Sequence, residues 1–322
     1  MTHLSIVIPV LNESSLIDEL LRRVTKNVET LTKDFEIILV DDGSQDGTWI
    51  QIENEAKSEK RIKGLKFSRN FGHHYAITAG LQESNGEWVV VMDGDLQDRP
   101  EVIPDLYRKA QEGFDVVFVS RRNRPEKFHY QLIQKLFYFI LINLSGIQFD
   151  SRQANFSIIN RKVVNAYLKF TENSRFYNST ITWLGFKRSF IEADHGTRHS
   201  GAPSYTFRTR IKLATDIILS FSERPLKFAV GLGLTMSTLS ILMAVFIIYG
   251  NLKWGFQVIG WSSLITALFF STGILLIVLG VLGIYIGKIY VQVKNRPLYI
   301  IEDKIESQFN SSKNANEKYS IY

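Results

Sequence analysis

Over the first 120 residues the chain alternates short apolar runs with longer mixed stretches. The runs at 4–10, 36–40, 62–67, 88–92 and 115–120 are of strand length and rich in Val, Ile and Phe. The stretches near 15–30, 47–57, 73–84 and 101–111 read as helices. Strands alternating with helices predict an α/β fold, a mostly parallel sheet covered on both faces. No internal repeat is visible.

The pattern changes near the C-terminal end. Residues 228–250 and 254–287 contain no Asp, Glu, Lys or Arg. A helix needs roughly 20 apolar residues to cross a hydrocarbon core of about 30 Å. Two transmembrane helices are therefore predicted, near 227–250 and 262–287. Arg208, Arg210, Lys212, Arg224 and Lys227 precede the first, and Lys288, Lys294 and Arg296 follow the second. The connection between them holds only Lys253. That bias places both termini and the N-terminal domain on the cytoplasmic side of the inner (plasma) membrane.

The N-terminus lacks the basic and apolar regions of a signal peptide. With no cysteine there is no disulfide framework and no thiolate metal site. The net charge of +6 suits anionic lipid and phosphate; no basic-aromatic nucleic-acid module is present.

The expected domains are 1–206, a juxtamembrane amphipathic helix at 207–226, the two spans within 227–287, and a partly disordered cytoplasmic tail at 288–322. After Glu302 the tail is rich in Ser, Asn, Lys and Glu, a composition that favours disorder. Residues 128–145 crowd Phe128, Leu132, Leu136, Phe137, Phe139, Ile140 and Leu144 together. This segment fits the membrane interface, a contact between subunits, or a buried core helix.

Ligands of open α/β sheets sit beyond the carboxyl ends of the strands. Four polar clusters fall at such ends: Pro9 to Glu13, Asp41 to Ser44, Asp93-Gly94-Asp95, and Ser120 to Arg122. Asp93 and Asp95, with Gln97 nearby, offer the oxygen ligands that Mg²⁺ or Mn²⁺ prefers, with substrate phosphates completing the shell. An Asp-X-Asp also caps helices and makes turns. Asp41 and Asp42 are candidates to accept hydrogen bonds from a base or ribose, and Asp46 reads as a helix cap. Glu13 also reads as an early-turn acid of the first helix. The adjacent His73 and His74 would point about 100° apart on a helix, so capping or packing is expected of them rather than a shared metal.

The ordered set Val7-Ile-Pro-Val-Leu-Asn-Glu13, Val40-Asp-Asp-Gly-Ser-Gln-Asp-Gly-Thr48, Asn70-Phe-Gly-His73 and Met92-Asp-Gly-Asp-Leu-Gln-Asp-Arg-Pro-Glu101 resembles family 2 glycosyltransferases of the GT-A (Rossmann-like) fold. With Ser220-Phe-Ser-Glu-Arg-Pro-Leu226 ahead of two spans, it looks like the polyprenyl-phosphate branch, which includes bactoprenol glucosyltransferases and dolichol-phosphate mannose synthases. The resemblance covers roughly residues 1–300. It implies an inverting transfer of a sugar from a nucleotide-sugar, UDP first among the nucleotides, to polyprenyl phosphate for cell-envelope glycans. It implies Mg²⁺ or Mn²⁺ at Asp93, Asp95 and Gln97, with the diphosphate by Gly94. Pro9 (through its backbone), Asn12, Glu13, Asp41 and Asp42 would contact the nucleoside. Arg121 and Arg198 would lie at the acceptor phosphate. A homo-oligomer and a separate flippase are the partners it implies.

Two positions depart from that pattern. Ser204 stands where many relatives have Lys, and Asn155 stands where bactoprenol glucosyltransferases carry an Asp proposed to act at the acceptor. Asp150, the nearest carboxylate upstream of Asn155, is the catalytic candidate to take that Asp's place. An amide is no general base at neutral pH, but a lipid phosphate is already anionic and needs positioning more than deprotonation. The sequence therefore favours a metal-and-arginine electrostatic site. Other readings are a polysaccharide synthase, opposed by only two spans and the lack of a Gln-x-x-Arg-Trp motif, and a membrane-bound nucleotide-sugar sensor or scaffold. A transporter is opposed by spans with uncharged centres.

Overall fold

Strand β1 (Leu4–Val10) and strand β2 (Phe35–Asp41) are buried at every position. Strands covered on both faces read as continuous apolar runs rather than alternating ones, which is why they were visible in the sequence. The computed structural model describes residues 2–121, 153–173, 175–194, 222, 224–254 and 260–306. The candidates Asp150, Arg198 and Ser204, and the segments 128–145 and 207–221, lie outside the described residues.

The remaining strands are β3 (Ile62–Phe67), β4 (Trp88–Val91), β5 (Val116–Arg121), β6 (Gln153–Asn160), β7 (Arg188–Ala193) and β8 (Ile301–Ile305). They form one sheet in the order β7-β5-β6-β4-β1-β2-β3-β8. The pairs β1/β2, β1/β4, β2/β3 and β5/β7 are parallel. β6 runs antiparallel between β4 and β5, and β8 runs antiparallel along β3. The sheet is thus mixed. Its parallel half carries β1 to β4, and β5 points the same way as β4 because both oppose β6.

Helices cover both faces. Helices α1 (Ile17–Val28), α2 (Thr48–Ser58) and α4 (Ile103–Gln111) lie on the face of Leu4, Ile6 and Ile8. Along α1 the buried residues Ile17, Leu20, Leu21, Val24 and Val28 form one apolar stripe at helical spacing. Helices α3 (His73–Glu83), α5 (Arg161–Leu168) and α6 (Tyr177–Trp183) lie on the face of Val7, Ile38 and Val40. Gly80 lets α3 approach β1 closely, since a Cβ there would run into Val7 Cγ1.

Before its last residue, Asp41, β2 carries one buried charge, Glu36. The Glu36 carboxylate pairs with Lys63 Nζ at 2.7 Å and accepts hydrogen bonds from Ser5 Oγ at 2.7 Å and the Asn85 N–H at 2.6 Å. A carboxylate this deep is tolerable only with such partners.

The composition of the tail predicted disorder after Glu302, yet Ile301–Ile305 forms β8. Its pairing with the β3 edge explains the difference. Ser68 N–H donates to the Ile300 carbonyl, Lys66 pairs with Glu302 at 2.9 Å, and Tyr299 stacks on Phe67 at 4.9 Å. An edge strand exposed on its outer side can be as charged as a loop.

The described residues divide into two compact units, and the sheet with its helices is one. The other holds α7 (Arg224–Trp254) and α8 (Trp261–Val293), which touch each other. Within them Leu226–Ile247 and Leu264–Val293 are long and apolar enough to cross a membrane, and neither is buried by the protein. Both helices run several residues beyond the predicted spans.

Replacing Gly80 by Ala should overpack the α3–β1 contact at a cost of about 1–3 kcal/mol. A lower apparent melting temperature of the purified protein checks this; an unchanged one contradicts the close approach.

Candidate active site

The carboxyl ends of β1, β2, β4 and β5 reach one edge of the sheet, as does the amino end of antiparallel β6. Pro9, Asn12, Glu13, Asp41, Asp42, Asp93, Gly94, Asp95, Gln97 and Asn155 all lie at or just beyond that edge. Arg121 closes β5 there, its backbone in register with Ala193; only its backbone belongs to the described structure.

Polar side chains lace the loops of this edge together. Asn12, at φ 56°, donates its N–H to Ser44 Oγ at 2.8 Å and accepts the Gln45 N–H on Oδ1 at 2.9 Å. Asp46 accepts the N–H of Thr48 at the start of α2 and the N–H of Ser14 in the β1 loop. The N-cap of α2 is Gly47 rather than the expected Asp46, and the Asp46 carboxylate instead ties the two loops from one residue upstream. These bonds hold its carboxyl below the usual range, against the desolvation that would raise it.

Asp41 and Asp42 share a strand end but have different surroundings. Asp42 accepts the N–H groups of Phe71, at 2.7 Å, and Gly72, at 3.0 Å. Burial pushes its carboxyl above the ordinary value, although both N–H groups pull it down. Asp42 thus fixes the loop between β3 and α3. Gly43, at φ +77°, lets that loop close in, since a Cβ there would lie 2.5 Å from the Arg69 carbonyl carbon. Asp41 is fully buried. Its Oδ1 accepts the Ser44 N–H at 2.9 Å, and its Oδ2 has no hydrogen-bond partner among the described residues. A buried acceptor in that condition is costly and suits a ligand that brings a donor.

The turn after β4 is held by its own acids. Asp98, buried, accepts the Asp93 N–H at 3.0 Å, and Asp95 accepts the Gln97 N–H at 3.0 Å. Leu96 is buried at φ 60°. Gly94 packs where a Cβ would meet Val10 Cγ1 at 2.7 Å and the Pro9 carbonyl at 3.2 Å. Asp93, Asp95 and Gln97 remain partly open to solvent. Among the described residues no three His, Cys, Asp or Glu side chains gather to hold a metal unaided. Two carboxylates in a partly open turn fit a hard cation that takes further ligands from a bound phosphate.

The two histidine rings meet edge-on with centroids 5.6 Å apart, but their outer partners differ. The His74 ring lies edge-on to Phe176 with centroids 5.5 Å apart, and removal from water with the neighbouring His73 lowers it to about 4. His73 instead turns to the site, its Nε2 standing 3.1 Å from Asp93 Oδ1 and 3.1 Å from Asn155 Nδ2. Desolvation opposes charge on its ring, but Asp93, Asp42 and Asp98 together raise its pKa. The sequence reading assigned His73 to capping or packing, and it gave Asp98 no role. The Asn70-Phe-Gly-His73 motif was the available signal for His73; for Asp98 it was the acid five residues after Asp93.

Comparison with known sequences adds to this geometry. The model of the family described as "Glycosyl transferase family 2" matches residues 5–168. The chain is 38% identical over 302 residues to an uncharacterized glycosyltransferase of Synechocystis, covering 94% of this chain and 95% of that one. It is 35% identical to an undecaprenyl-phosphate 4-deoxy-4-formamido-L-arabinose transferase of Shewanella sediminis, over 93% of this chain and 91% of the relative. It is 34% identical to a prophage-derived bactoprenol glucosyl transferase of Shigella flexneri, over 93% and 97%.

Asp42→Ala should leave the Phe71 and Gly72 N–H groups unsatisfied, at about 1–3 kcal/mol each. Trypsin should then cut after Arg69 faster than in the wild type; equal cleavage would show that the clamp does not hold this loop.

Proposed function

The chain belongs to glycosyl transferase family 2, and from that premise we propose that it moves a sugar from a nucleotide-sugar, UDP-linked first among the candidates, to polyprenyl phosphate. The observation that carries the reading is the convergence of Asp41, Asp93 and Asp95 on one sheet edge, in a chain that also has two exposed apolar helices of membrane-crossing length. The helices support membrane association. Relatives named for undecaprenyl phosphate and bactoprenol support the acceptor. The basic residues flanking the spans support a cytoplasmic position for both termini and the site.

In this reading Asp41 Oδ2 accepts a donor group from the nucleoside, with Pro9, Asn12 and Glu13 along the same wall and Asp42 shaping the loop beside it. Asp93, Asp95 and Gln97 would hold Mg²⁺ or Mn²⁺. When bound, such an ion supplies positive charge for the departing diphosphate. A phosphate oxygen of the lipid attacks the anomeric carbon while the bond from that carbon to the diphosphate oxygen breaks, so the configuration inverts. The acceptor is an anion and gives up no proton, so Asn155 need not act as a base. Arg121, Arg198 and Ser204 would orient it, and a guanidinium fork suits phosphate oxygens. Asp150 would then not be needed as a base.

The test uses the full-length protein in nanodiscs with Mg²⁺ or Mn²⁺, a panel of nucleotide-sugars and undecaprenyl phosphate, followed by lipid extraction and mass analysis. One donor should give a hexosylated polyprenyl phosphate. Donor binding without any glycolipid would favour the sensor or scaffold reading. Asp93→Asn and Asp95→Asn should each cost on the order of 100- to 1,000-fold in rate, and Asp150→Asn far less. Equal losses at all three would overturn the division of roles.

A further inference from the structure

Three side chains from three elements meet at the Asp-X-Asp turn. His73 is the first residue of α3, Asp93 follows β4, and Asn155 lies at the amino end of β6. His73 Nε2 is 3.1 Å from Asp93 Oδ1 and 3.1 Å from Asn155 Nδ2. We propose that His73 is a positioning residue that fixes the Asp93 carboxylate by sharing one N–H between it and the Asn155 amide. The inference rests on the reading of Asp93 and Asp95 as the cation and diphosphate site.

The hydrogen-bond chemistry selects one arrangement. A carboxylate oxygen only accepts, so Nε2 must carry the proton that faces Asp93. Asn155 must then present its carbonyl oxygen to the ring, and a half-turn of the amide achieves this without moving any other atom. The role needs a proton on Nε2 and no charge on the ring. A neutral acceptor at position 155 also adds no third negative charge beside Asp93 and Asp95. The amide that is useless as a base is thus well matched to holding the imidazole.

His73 is itself rigidly mounted. The preceding residue, Gly72, sits at φ 122° with its N–H on the Asp42 carboxylate. Seven residues further along α3, Gly80 fits closely against Val7 of β1. The backbone of Asp93 is held in turn by Asp98. The His73–Asp93 contact is at ion-pair distance, and a small turn of the ring N–H toward Oδ1 would complete the hydrogen bond; with the Asp93 backbone held by Asp98, that bond would fix the carboxylate. Partners of this kind, one step removed from a metal, typically change its affinity by about 10- to 100-fold when removed.

The test measures Mn²⁺ binding to the full-length protein in the presence of UDP by electron paramagnetic resonance, alongside kinetics. His73→Ala should weaken Mn²⁺ binding by about 10- to 100-fold and raise the Mn²⁺ needed for half-maximal rate, leaving the KM for the lipid unchanged. His73→Gln, whose amide N–H reaches about as far as Nε2, should recover most of the affinity, and the shorter His73→Asn should not. The Gln–Asn contrast carries the test if His73→Ala does not fold. Wild-type Mn²⁺ affinity in His73→Ala, or equal weakening in the Gln and Asn variants, overturns the inference. If Asp95→Asn abolishes binding while the His73 variants keep it, the metal reading survives and this inference alone fails. A wild-type protein that binds no Mn²⁺ overturns both.

Discussion

Burial of β1, β2 and β4 on both faces is the constraint from which the rest follows. Such strands have no solvent-facing side on which to carry polar groups. Charged residues must wait until the backbone leaves the sheet. In the parallel half, chain direction sends those exits to one edge. Pro9 to Glu13, Asp41 to Ser44 and Asp93 to Gln97 are therefore neighbours in space although distant in sequence. Glu36 is the exception inside β2, and it is held by Lys63, Ser5 and the Asn85 N–H.

The acids at that edge divide their work. Asp42, Asp46 and Asp98 hold backbone N–H groups of other loops or of their own turn. They make irregular backbone as determinate as the sheet beneath it. Asp41 keeps one oxygen without a hydrogen-bond partner among the described residues, and Asp93 and Asp95 stay partly open to solvent. An electrostatic site depends on this division, because charges placed in advance need no rearrangement during reaction. Asn155 stands beside His73, where an acid would add a third negative charge next to Asp93 and Asp95.

What the sequence made legible follows from the same physics. Doubly buried strands appear as apolar runs, so β1 to β5 were read within a residue or so of their observed ends. The polar clusters after β1, β2 and β4 followed directly. The two long helices were plain from their length and lack of charge. β8 was hidden because Ile301–Ile305 has a charged, exposed face, and only its pairing with β3 separates it from a tail. The clamp by Asp42 and the turn of His73 toward Asp93 depend on contacts across 20 to 30 positions, which no local pattern encodes. Asp41 and Asp42 look equivalent in sequence, yet Asp42 binds loop N–H groups while Asp41 Oδ2 has no hydrogen-bond partner among the described residues.

The most direct measurement is hydrogen exchange of the full-length protein with and without UDP and Mn²⁺, read peptide by peptide. The account predicts protection confined to the loops around residues 9–14, 41–48, 69–74 and 93–98. Protection at the opposite edge of the sheet, near Ser5, Glu36 and Asn85, with none in those four loops, would contradict it.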